Sequence, residues 1–492
     1  MEEKELFEKN KLIQQVLKMP HGNLYNYIES YSIAKQDKDL FAHFTVWNNE
    51  KSVVRDSKIA FPVLALRTFN KSDTKYAENA IANLMTLNPR DLYKAYLFSK
   101  ELTLQNNHIS GGWRKLLQNS IQKYLEIREN NNGWWDNTVV RNRKAMLGLY
   151  AISHKKPTDR VQKILFEKQY PNDSVFEAIK NLKNLPELEA GSLILKHKIP
   201  MPIVATSGLK IKDNQNLLLA MVENMTGNEI LNNSNMLKQL GAFNFPAVKA
   251  SYDNAINKAK DDKKVNVFKA SKAVEKVDKN IGNKLISIQK SKEKELKKIQ
   301  ANVLILADAS GSMQQSIELS KKIAGVVSAN VVGSNYLIFF NSSPRLFEVT
   351  NKSYDEICSI TKNVVAQGQT SIGCGLSYIN DCGYDIDIII IVSDGGENSY
   401  PSFVTAYKKY VSKKEQEPVV YFFRVGVDRD TLSESCASSN IQIEKFEVGS
   451  SFDYYALPNI LNTIETKRYA LINEILDTPL LTLDTVFNKK GD

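Results

Sequence analysis

The stretch Val303-Leu304-Ile305-Leu306-Ala307-Asp308-Ala309-Ser310-Gly311-Ser312 decides the fold of the second part of this chain. Its first five residues form a short continuous apolar run, which is typical of a strand buried on both faces of a parallel sheet. A helical pattern follows over Ser316 to Ala329, and similar apolar runs lie at Tyr336 to Phe340, Ile386 to Val392 and Val419 to Val427. This alternation of strands and helices predicts a doubly wound α/β domain over residues 301–492.

Polar residues follow two of these runs, and the carboxyl ends of parallel strands are where such sheets bind ligands. The first run leads into Asp308-Ala309-Ser310-Gly311-Ser312, a later one into Ser393-Asp394-Gly395-Gly396, and Thr370 precedes another helical stretch. Oxygen ligands without imidazole or thiolate suit a hard divalent cation, Mg²⁺ first and Mn²⁺ or Ca²⁺ as alternatives. We therefore expect one cation held by Asp308, Ser310, Ser312, Thr370 and Asp394. The alternative is a helix-capping Asp-Ser-Gly loop that binds no metal.

Residues 1–300 have helical rather than strand periodicity. Leu117, Ile121, Tyr124 and Leu125 repeat at helical spacing, and Asn88-Pro89-Arg90-Asp91 has the residues of a helix start. No strand-like alternation of any length precedes residue 300. Helices with short breaks over such a length favour stacked helical pairs, an α-solenoid of HEAT-like repeats, over a compact bundle.

The length and the charge distribution divide the chain at the same place. With 492 residues, 42% of them hydrophobic, two or more domains are expected. Residues 1–300 contain 49 Lys and Arg against 32 Asp and Glu, whereas residues 301–492 contain 16 against 23. The overall charge of +10 thus combines a basic part of +17 with an acidic part of −7. A polyanionic partner is indicated for the first part and disfavoured for the second.

Two segments contribute strongly to the basic part. One follows Trp134-Trp135-Asp136 and continues through Arg141, Arg143 and Lys144 to His154-Lys155-Lys156. The other, residues 258–298, has fourteen Lys against six acids and predicts one or two amphipathic helices that lead into the next domain. Each segment has a simpler interpretation, a solvated helix face over a core Trp pair in the first and a solvated connector in the second.

Other features exclude several classes of protein. The four cysteines form no C-x-x-C pair and have no neighbouring His, so zinc binding and a disulfide framework are disfavoured against reduced thiols. No signal peptide and no membrane-spanning apolar run is visible. We expect a soluble, cytoplasmic protein with no membrane partner.

The D-x-S-x-S string, Thr370 and Asp394 together resemble the metal-ion-dependent adhesion site of von Willebrand factor A domains. That resemblance implies direct coordination by Ser310, Ser312 and Thr370, with Asp308 and Asp394 acting directly or through water.

A basic helical body followed by such a domain resembles the TROVE-module proteins of the Ro autoantigen family. The segments that carry the resemblance are Trp134-Trp135-Asp136-Asn137, Arg141 to Ala145 with Tyr150, His154-Lys155-Lys156-Pro157, Lys196-His197-Lys198-Ile199-Pro200, Met225 to Glu229 and Asn232 to Gly241. The resemblance implies a monomeric ring of helical repeats over residues 1–300, closed by contact with the A domain. It also implies that the tail, residues 466–492, packs back on the ring. One departure from the family is Ser371, which follows Thr370 where the animal proteins carry Asp, and this difference bears on metal affinity and on partner choice.

The same resemblance implies an RNA-binding function. Family members bind small noncoding Y RNAs on a basic outer surface and single-stranded 3′ ends of structured or misfolded RNAs in a central hole. They act in RNA quality control, maturation and decay, sometimes with a 3′-exonuclease. The residues expected at the outer RNA surface are Arg141, Arg143, Lys144, His154, Lys155, Lys156 and His197, with His197 equally suited to a structural cap.

Two other functions are compatible with the sequence. The metal domain could grip an acidic group of a protein partner, as an adhesion or adaptor module with no RNA role. A metal-dependent nuclease is the third class, but all five His, at positions 21, 43, 108, 154 and 197, lie outside the metal domain. With no imidazole base there, we expect binding and not catalysis.

Overall fold

The computed structural model describes residues 3–17, 19, 22–52, 54–104, 111–262, 265, 270, 273–274, 277, 279–294, 299–426, 429–448 and 470–488. Contacts divide the chain into two compact units. The helical unit comprises Gly22–Lys292 and Thr478–Asp492, and the α/β unit comprises Met1–His21 and Glu293–Asp477. A single boundary at residue 300 therefore does not separate the two units. The N-terminal segment Met1–His21 belongs to the α/β unit, and the C-terminal segment Thr478–Asp492 belongs to the helical unit. Residues 466–469 and 489–492 of the predicted tail lie outside the described residues.

The helical unit is built from helices joined by short turns. Their bounds are α2 Ser30–Gln36, α3 Lys38–Lys51, α4 Arg55–Leu66, α5 Thr74–Met85, α6 Pro89–Leu104, α7 Gly111–Glu129, α8 Asn132–Ser153, α9 Asp159–Val161, α10 Val175–Asn181, α11 Glu187–His197, α12 Met201–Ala205, α13 Gln215–Glu223, α14 Gly227–Gln239, α15 Pro246–Asp261, α16 Lys279–Lys294 and, from the end of the chain, α23 Leu483–Asn488; a π-helical turn spans Gln162–Glu167, and short 3₁₀ turns span Leu24–Tyr27, Leu182–Asn184 and Ala242–Asn244.

Local sequence explains where several of these helices begin. The Asn88 side chain accepts a hydrogen bond from Asp91 N at 3.1 Å, and Pro89 is the first residue of α6. Because proline lacks an N–H and has a fixed φ, it suits this position. The Asn131 side chain accepts from Trp134 N at the start of α8, and Thr226 forms a capping box with Glu229 at the start of α14. The predicted helix start at residue 89 is confirmed.

Successive helices pack on one another along the helical unit. Helix α4 contacts α5 and α6, α7 contacts α8, and α11 and α15 both contact α13. Helices that bury their apolar faces against sequence neighbours are typical of helical repeats. The prediction of stacked helices is therefore confirmed. The two tryptophans of the expected core pair differ in burial: Trp135 is 1% exposed and lies in the core, whereas Trp134 is 44% exposed.

The basic segment at residues 258–298 is only partly described. It begins within α15 and continues through α16, whose Ile281, Leu285 and Ile288 are buried. Residues 263–264, 266–269, 271–272, 275–276, 278 and 295–298 lie outside the described part. In the described part the buried positions are apolar, and Lys258 and Lys279 are exposed, which is the predicted amphipathic pattern.

The α/β unit contains a parallel sheet with one antiparallel edge. Its elements are α1 Glu3–Leu17, β1 Ile299–Gln300, β2 Val303–Asp308, α17 Gln314–Asn330, β3 Val331–Val332, β4 Asn335–Phe340, β5 Pro344–Glu348, α18 Tyr354–Ile360, α19 Ile372–Cys382, β6 Ile388–Ser393, α20 Phe403–Lys414, β7 Val419–Val425, α21 Thr431–Ser438, β8 Ile443–Val448 and α22 Ala470–Asp477. The main sheet has the order β5-β4-β2-β6-β7-β8, and only β5 is antiparallel to its neighbour.

This sheet is doubly wound because helices cover both of its faces. Leu304 and Leu306 of β2 pack into one core with residues of α19 and α20, and α17 contacts β2, β4 and β6. All six residues of β2 and of β6 are buried, which is why both segments are continuous apolar runs. The four predicted strands are confirmed to within about two residues, a normal boundary error. The edge strands β5 and β8 were not predicted.

Helix α1 belongs to the α/β unit although it begins the chain. It contacts α22, and the Gln14 side chain donates to the Glu444 carboxylate of β8 at 2.9 Å. Covering an exposed edge strand limits its pairing with other chains. In the described part of the chain, no helix combines the length and the hydrophobicity that a membrane span requires.

The order of the strands reverses at β2. Strand β4 lies on one side of β2 and β6 on the other, so the connections leave the sheet in opposite directions there. Beyond the carboxyl ends of β2 and β6 a crevice results, and ligands of such sheets bind in this crevice. Of the two predicted acidic residues, Asp308 is the last residue of β2 and Asp394 directly follows β6.

Candidate functional site

Asp308 is the last residue of β2 and is fully buried. One of its oxygens accepts from Ser310 N at 2.9 Å, and the other accepts from the Ser393 hydroxyl at 2.6 Å. Burial raises the pKa of the Asp308 carboxyl, the neighbouring Asp394 carboxylate raises it further, and the bonds from Ser393 and Ser310 lower it. A cation next to these two carboxylates would relieve their repulsion.

Two loops meet beside Asp308 and bring the hydroxyl residues together. Gln367 N donates to Ala309 O at 2.7 Å, and Gly311 N donates to Gly368 O at 3.3 Å. These backbone bonds hold the Ser310–Ser312 loop against the segment that ends in Thr370. Ser310 and Thr370 are buried, whereas Ser312 is exposed. The three hydroxyl residues therefore extend from the interior of the α/β unit to its surface.

Thr370 is fixed by the loop that follows β6. The Asn398 side chain accepts from Thr370 N at 2.8 Å, and Thr370 O accepts from the backbone N–H groups of Asn398 and Ser399, both at 3.0 Å. The next residue, Ser371, is buried and donates its hydroxyl to Pro401 O at 2.8 Å. Ser371 therefore ties α19 to this loop and does not add a carboxylate to the site.

Asp394 stands at the end of β6, partly exposed, and accepts from Gly396 N at 2.8 Å. Its own carbonyl accepts from Arg424 Nε at 3.2 Å. The structure thus brings Asp308, Ser310, Ser312, Thr370 and Asp394 to one end of the sheet, with oxygen atoms as the available donors. Among the described residues no three His, Cys, Asp or Glu side chains form a metal-binding group, so any ion here depends on the hydroxyls.

Glu397 was not predicted and lies beside this set. Its carboxylate accepts from Ile372 N at 3.2 Å and from Phe403 N at 2.8 Å, the first residues of α19 and α20. Burial raises the pKa of Glu397, and these backbone bonds oppose the shift. Because a carboxylate suits the positive end of a helix dipole, one group joins two helix N-termini. The sequence offered one signal, its place three residues after Asp394.

Several predicted RNA contacts in the helical unit have partners within the protein. Arg141 pairs with Glu229 at 2.9 Å, and Lys155 pairs with Glu129 at 3.1 Å. Arg143 donates to Ile164 O and Leu165 O at 3.2 and 2.8 Å, so it also satisfies the carbonyls of the π-helical turn. Three of the cations predicted for the RNA surface are thus also bound by groups of the protein, and helical periodicity does not show which cations find such acceptors.

The other predicted contacts differ in exposure. Lys144, His154 and Lys156 are exposed, and His154 ends α8 in the left-handed conformation with φ of 54°. His197 is half-buried at the end of α11. Burial lowers the pKa of His197, and the charge of Lys196 lowers it further. Lys144 and Lys156 are thus the exposed lysines of the predicted set, whereas Lys155 is half-buried.

Comparison with known proteins connects the two units to one fold. No protein-family model matches the chain, and no curated protein sequence matches it. Among solved structures, the Ro (RSR) protein of Deinococcus radiodurans is similar, with a TM-score of 0.62 and 14% sequence identity. The match covers 88% of this chain and 92% of that chain. The chain therefore has the fold of this Ro protein, a helical region joined to a doubly wound α/β domain.

Proposed function

We propose that this chain is an RNA-binding protein of the Ro type. It binds small noncoding, Y-like RNA on a basic surface of the helical unit and single-stranded 3′ ends of structured or misfolded RNA, in RNA quality control, maturation or decay. The observation that carries this proposal is the fold shared with the Ro protein over 88% of the chain. The +17 charge of residues 1–300 supports it, because phosphate neutralisation dominates RNA affinity.

Within the predicted basic set, the exposed side chains are the best candidates for phosphate contact. Lys144, His154 and Lys156 face solvent, whereas Arg143 and Lys155 also serve the fold. Arg141 is exposed but forms an ion pair with Glu229. We assign RNA contact first to the exposed three, with Arg141 and His197 at the margin.

A second part of the proposal is that the α/β unit binds one divalent cation, Mg²⁺ or alternatively Mn²⁺ or Ca²⁺. Ser310, Ser312 and Thr370 would supply hydroxyl oxygens and Asp394 a carboxylate. Both oxygens of Asp308 already accept hydrogen bonds, which suits a carboxylate that acts on the ion through water. With few carboxylates the ion keeps open positions, which suits an acidic group of a partner such as a 3′-exonuclease.

We also propose that the protein acts by binding and not by catalysis. The five His all lie outside residues 301–492, so none of them follows the strands whose carboxyl ends form the cation site. Incubation of purified protein with labelled RNA and Mg²⁺ should leave the RNA at full length. Shortening that is lost in Asp308→Ala would contradict this and favour a nuclease.

The RNA proposal is tested by fluorescence anisotropy with an RNA hairpin that has a single-stranded 3′ tail. The double variant Lys144→Glu, Lys156→Glu should bind at least about tenfold more weakly than wild type at low salt, because two phosphate contacts become repulsive. Lys408→Glu, Lys409→Glu is the matched control, since these two lysines are exposed on α20 of the α/β unit. Its affinity should be close to that of wild type.

The same titration separates the alternatives. A hairpin without the tail should bind more weakly than the tailed RNA if the 3′ end is recognised. Wild-type protein that ignores both RNAs at low salt would contradict the proposal. That result would favour the adhesion or adaptor function, in which the cation grips a protein partner.

A further inference from the structure

A cavity of about 900 Å³ lies in the helical unit, between helices of its N-terminal half and its C-terminal helix. Its walls come from α3, α5, α7, the start of α8 and the segment around α23. The lining residues include Asn49, Tyr124, Ile127, Arg128, Trp134 and Phe487. Apolar and aromatic walls with a few polar groups are typical of small-molecule and nucleotide pockets.

Trp134 is the aromatic residue that this cavity leaves most open. The side chain is 44% exposed, whereas Trp135, the next residue, is 1% exposed and belongs to the core. The exposure of Trp134 therefore does not come from a poorly packed end of α8. An exposed indole on a cavity wall offers a flat surface on which a second ring can stack.

Arg128 lies between two aromatic rings of the same cavity. Its guanidinium carbon is 3.3 Å from the centroid of the Tyr124 ring and 4.6 Å from that of Trp134. Burial lowers the pKa of Arg128, so its charge is held in a partly desolvated place. The faces of the two rings stabilise this cation. A ring that stacks on Trp134 would extend the same cation–π arrangement.

The charge of Arg128 has no acidic partner in the described part of the chain. Its Nη1 donates to Tyr124 O at 3.2 Å, and Nε is buried with no hydrogen-bond partner among the described residues. Glu50, which is exposed, is the one acid among the described lining residues. A partly buried cation without a carboxylate favours a ligand that carries negative charge.

We infer that this cavity binds one unpaired nucleotide of RNA, with its base stacked on Trp134 and its negative charge facing Arg128. The inference rests on the proposed RNA function and assigns a site to unpaired RNA that the predicted basic set does not contain. Stacking on an aromatic ring suits single-stranded RNA, since bases inside a duplex are covered on both faces. Asn49, whose amide donates to Asn83 and Thr86, forms a polar part of the wall.

The first test measures a fluorescein-labelled single-stranded RNA of about eight nucleotides by anisotropy. Trp134→Ala should weaken binding by about tenfold or more, and Trp134→Phe should retain most of the affinity because phenylalanine also stacks. Tyr25→Ala is the matched control, because Tyr25 is 38% exposed in the same unit and does not line the cavity. Its affinity should equal that of wild type. Thermal melts of all variants check that each is folded.

A second test uses tryptophan fluorescence and separates the base from the phosphate. Adenosine monophosphate should quench the wild-type protein, whereas inorganic phosphate should not. The quenching should disappear in Trp134→Phe, since the other three tryptophans, Trp47, Trp113 and Trp135, are buried. Equal quenching by phosphate would show an anion site alone and would overturn the inference. Wild-type fluorescence that does not respond to adenosine monophosphate would overturn it as well.

The outcomes distinguish this inference from the proposed function. If the tailed hairpin and the short RNA bind Trp134→Ala as tightly as wild type, the inference fails and the RNA function stands. If wild-type protein binds neither RNA at low salt, both fail.

Discussion

At the end of β2, the Asp308 carboxylate lies where burial and a neighbouring acid both oppose its negative charge. Burial raises its pKa and Asp394 raises it further, although the hydroxyl and backbone donors around it stabilise the charged form. A buried carboxylate with this environment is balanced best by a nearby cation. The hydroxyls of Ser310, Ser312 and Thr370 are the further oxygen donors that we propose as ligands of this cation.

Removal of the serine hydroxyls tests whether this site binds a cation. Saturating Mg²⁺ should raise the melting temperature of wild-type protein, by a stabilisation of about 2.7 kcal/mol at a hundred times the Kd. Ser310→Ala, Ser312→Ala should lose most of this shift because two ligands are gone. Ser438→Ala, on the exposed part of α21, is the control and should keep it. A double variant that responds to Mg²⁺ like wild type would show that these residues do not hold the ion.

Glu397 contributes a different electrostatic effect, one that depends on pH. Burial raises the pKa of Glu397 above its ordinary value of 4.5, so the folded state holds the proton more tightly than the unfolded state. Stability therefore falls as pH rises from 4.5 through the raised pKa, and the penalty is complete above it. The pKa values of the nearby thiols of Cys374 and Cys436 are raised to about 11 and about 12, so neither adds charge near neutral pH.

We expect Glu397→Gln to remove this pH dependence. Urea unfolding in EDTA between about pH 4 and pH 8 should show wild type losing stability relative to the variant as pH rises. Glu348→Gln, an exposed change on β5, is the control and should follow the wild-type curve. Parallel curves for wild type and Glu397→Gln would contradict the assigned shift.

At the scale of the elements, the N-termini of α19 and α20 are joined by Glu397, whose carboxylate accepts a backbone hydrogen bond from each. A Cβ atom on Gly373 would lie 2.3 Å from Ser402 O, so only glycine allows this approach. Because Ser402 O belongs to the backbone, the contact cannot be relieved by a side-chain rotation. The close approach also holds Ser371 and thereby the Thr370 loop.

Gly373→Ala should consequently separate these two helix ends. We expect destabilisation of about 1–3 kcal/mol, as for other overpacked sites, together with a weaker response to Mg²⁺. Urea unfolding and the metal-dependent melt measure the two effects. Gly133→Ala is the matched control, since a Cβ there meets only an atom at 3.9 Å. Equal stability of both variants would show that the backbone at Ser402 adjusts without loss.

A strand could be predicted from the sequence where its residues form a strong apolar pattern. Strands β2 and β6 are buried on both faces, so their continuous apolar runs identify them without further information. Strand β5 has no fully buried residue, and only two residues of β8 are buried. Their sequences therefore lack that signal, and pairing with β4 and β7 defines them. The exchange of the two chain ends between units has the same cause, since it depends on packing between segments far apart in sequence.

At the scale of the whole molecule, the charge division should appear in the salt dependence of RNA binding. The logarithm of the association constant should fall linearly with the logarithm of salt concentration. Lys144→Glu, Lys156→Glu should reduce the slope by roughly 1.5, because each phosphate contact contributes about 0.7 to 0.9. Lys408→Glu, Lys409→Glu should leave the slope unchanged. An unaltered slope in the first variant would place the phosphate contacts elsewhere on the helical unit.

The sequence by itself determined the two classes of structure, the division of charge between them and the strand ends at which Asp308 and Asp394 stand. These features are local, since they depend on periodicity, composition and the residues that follow a buried run. Only the tertiary structure decided that Asn398 and Glu397 hold the loop of Thr370, that Arg143 and Lys155 also serve the fold, and that Trp134 stays open beside Arg128. Each of these depends on which distant groups meet, and a one-dimensional pattern does not encode the distance between them.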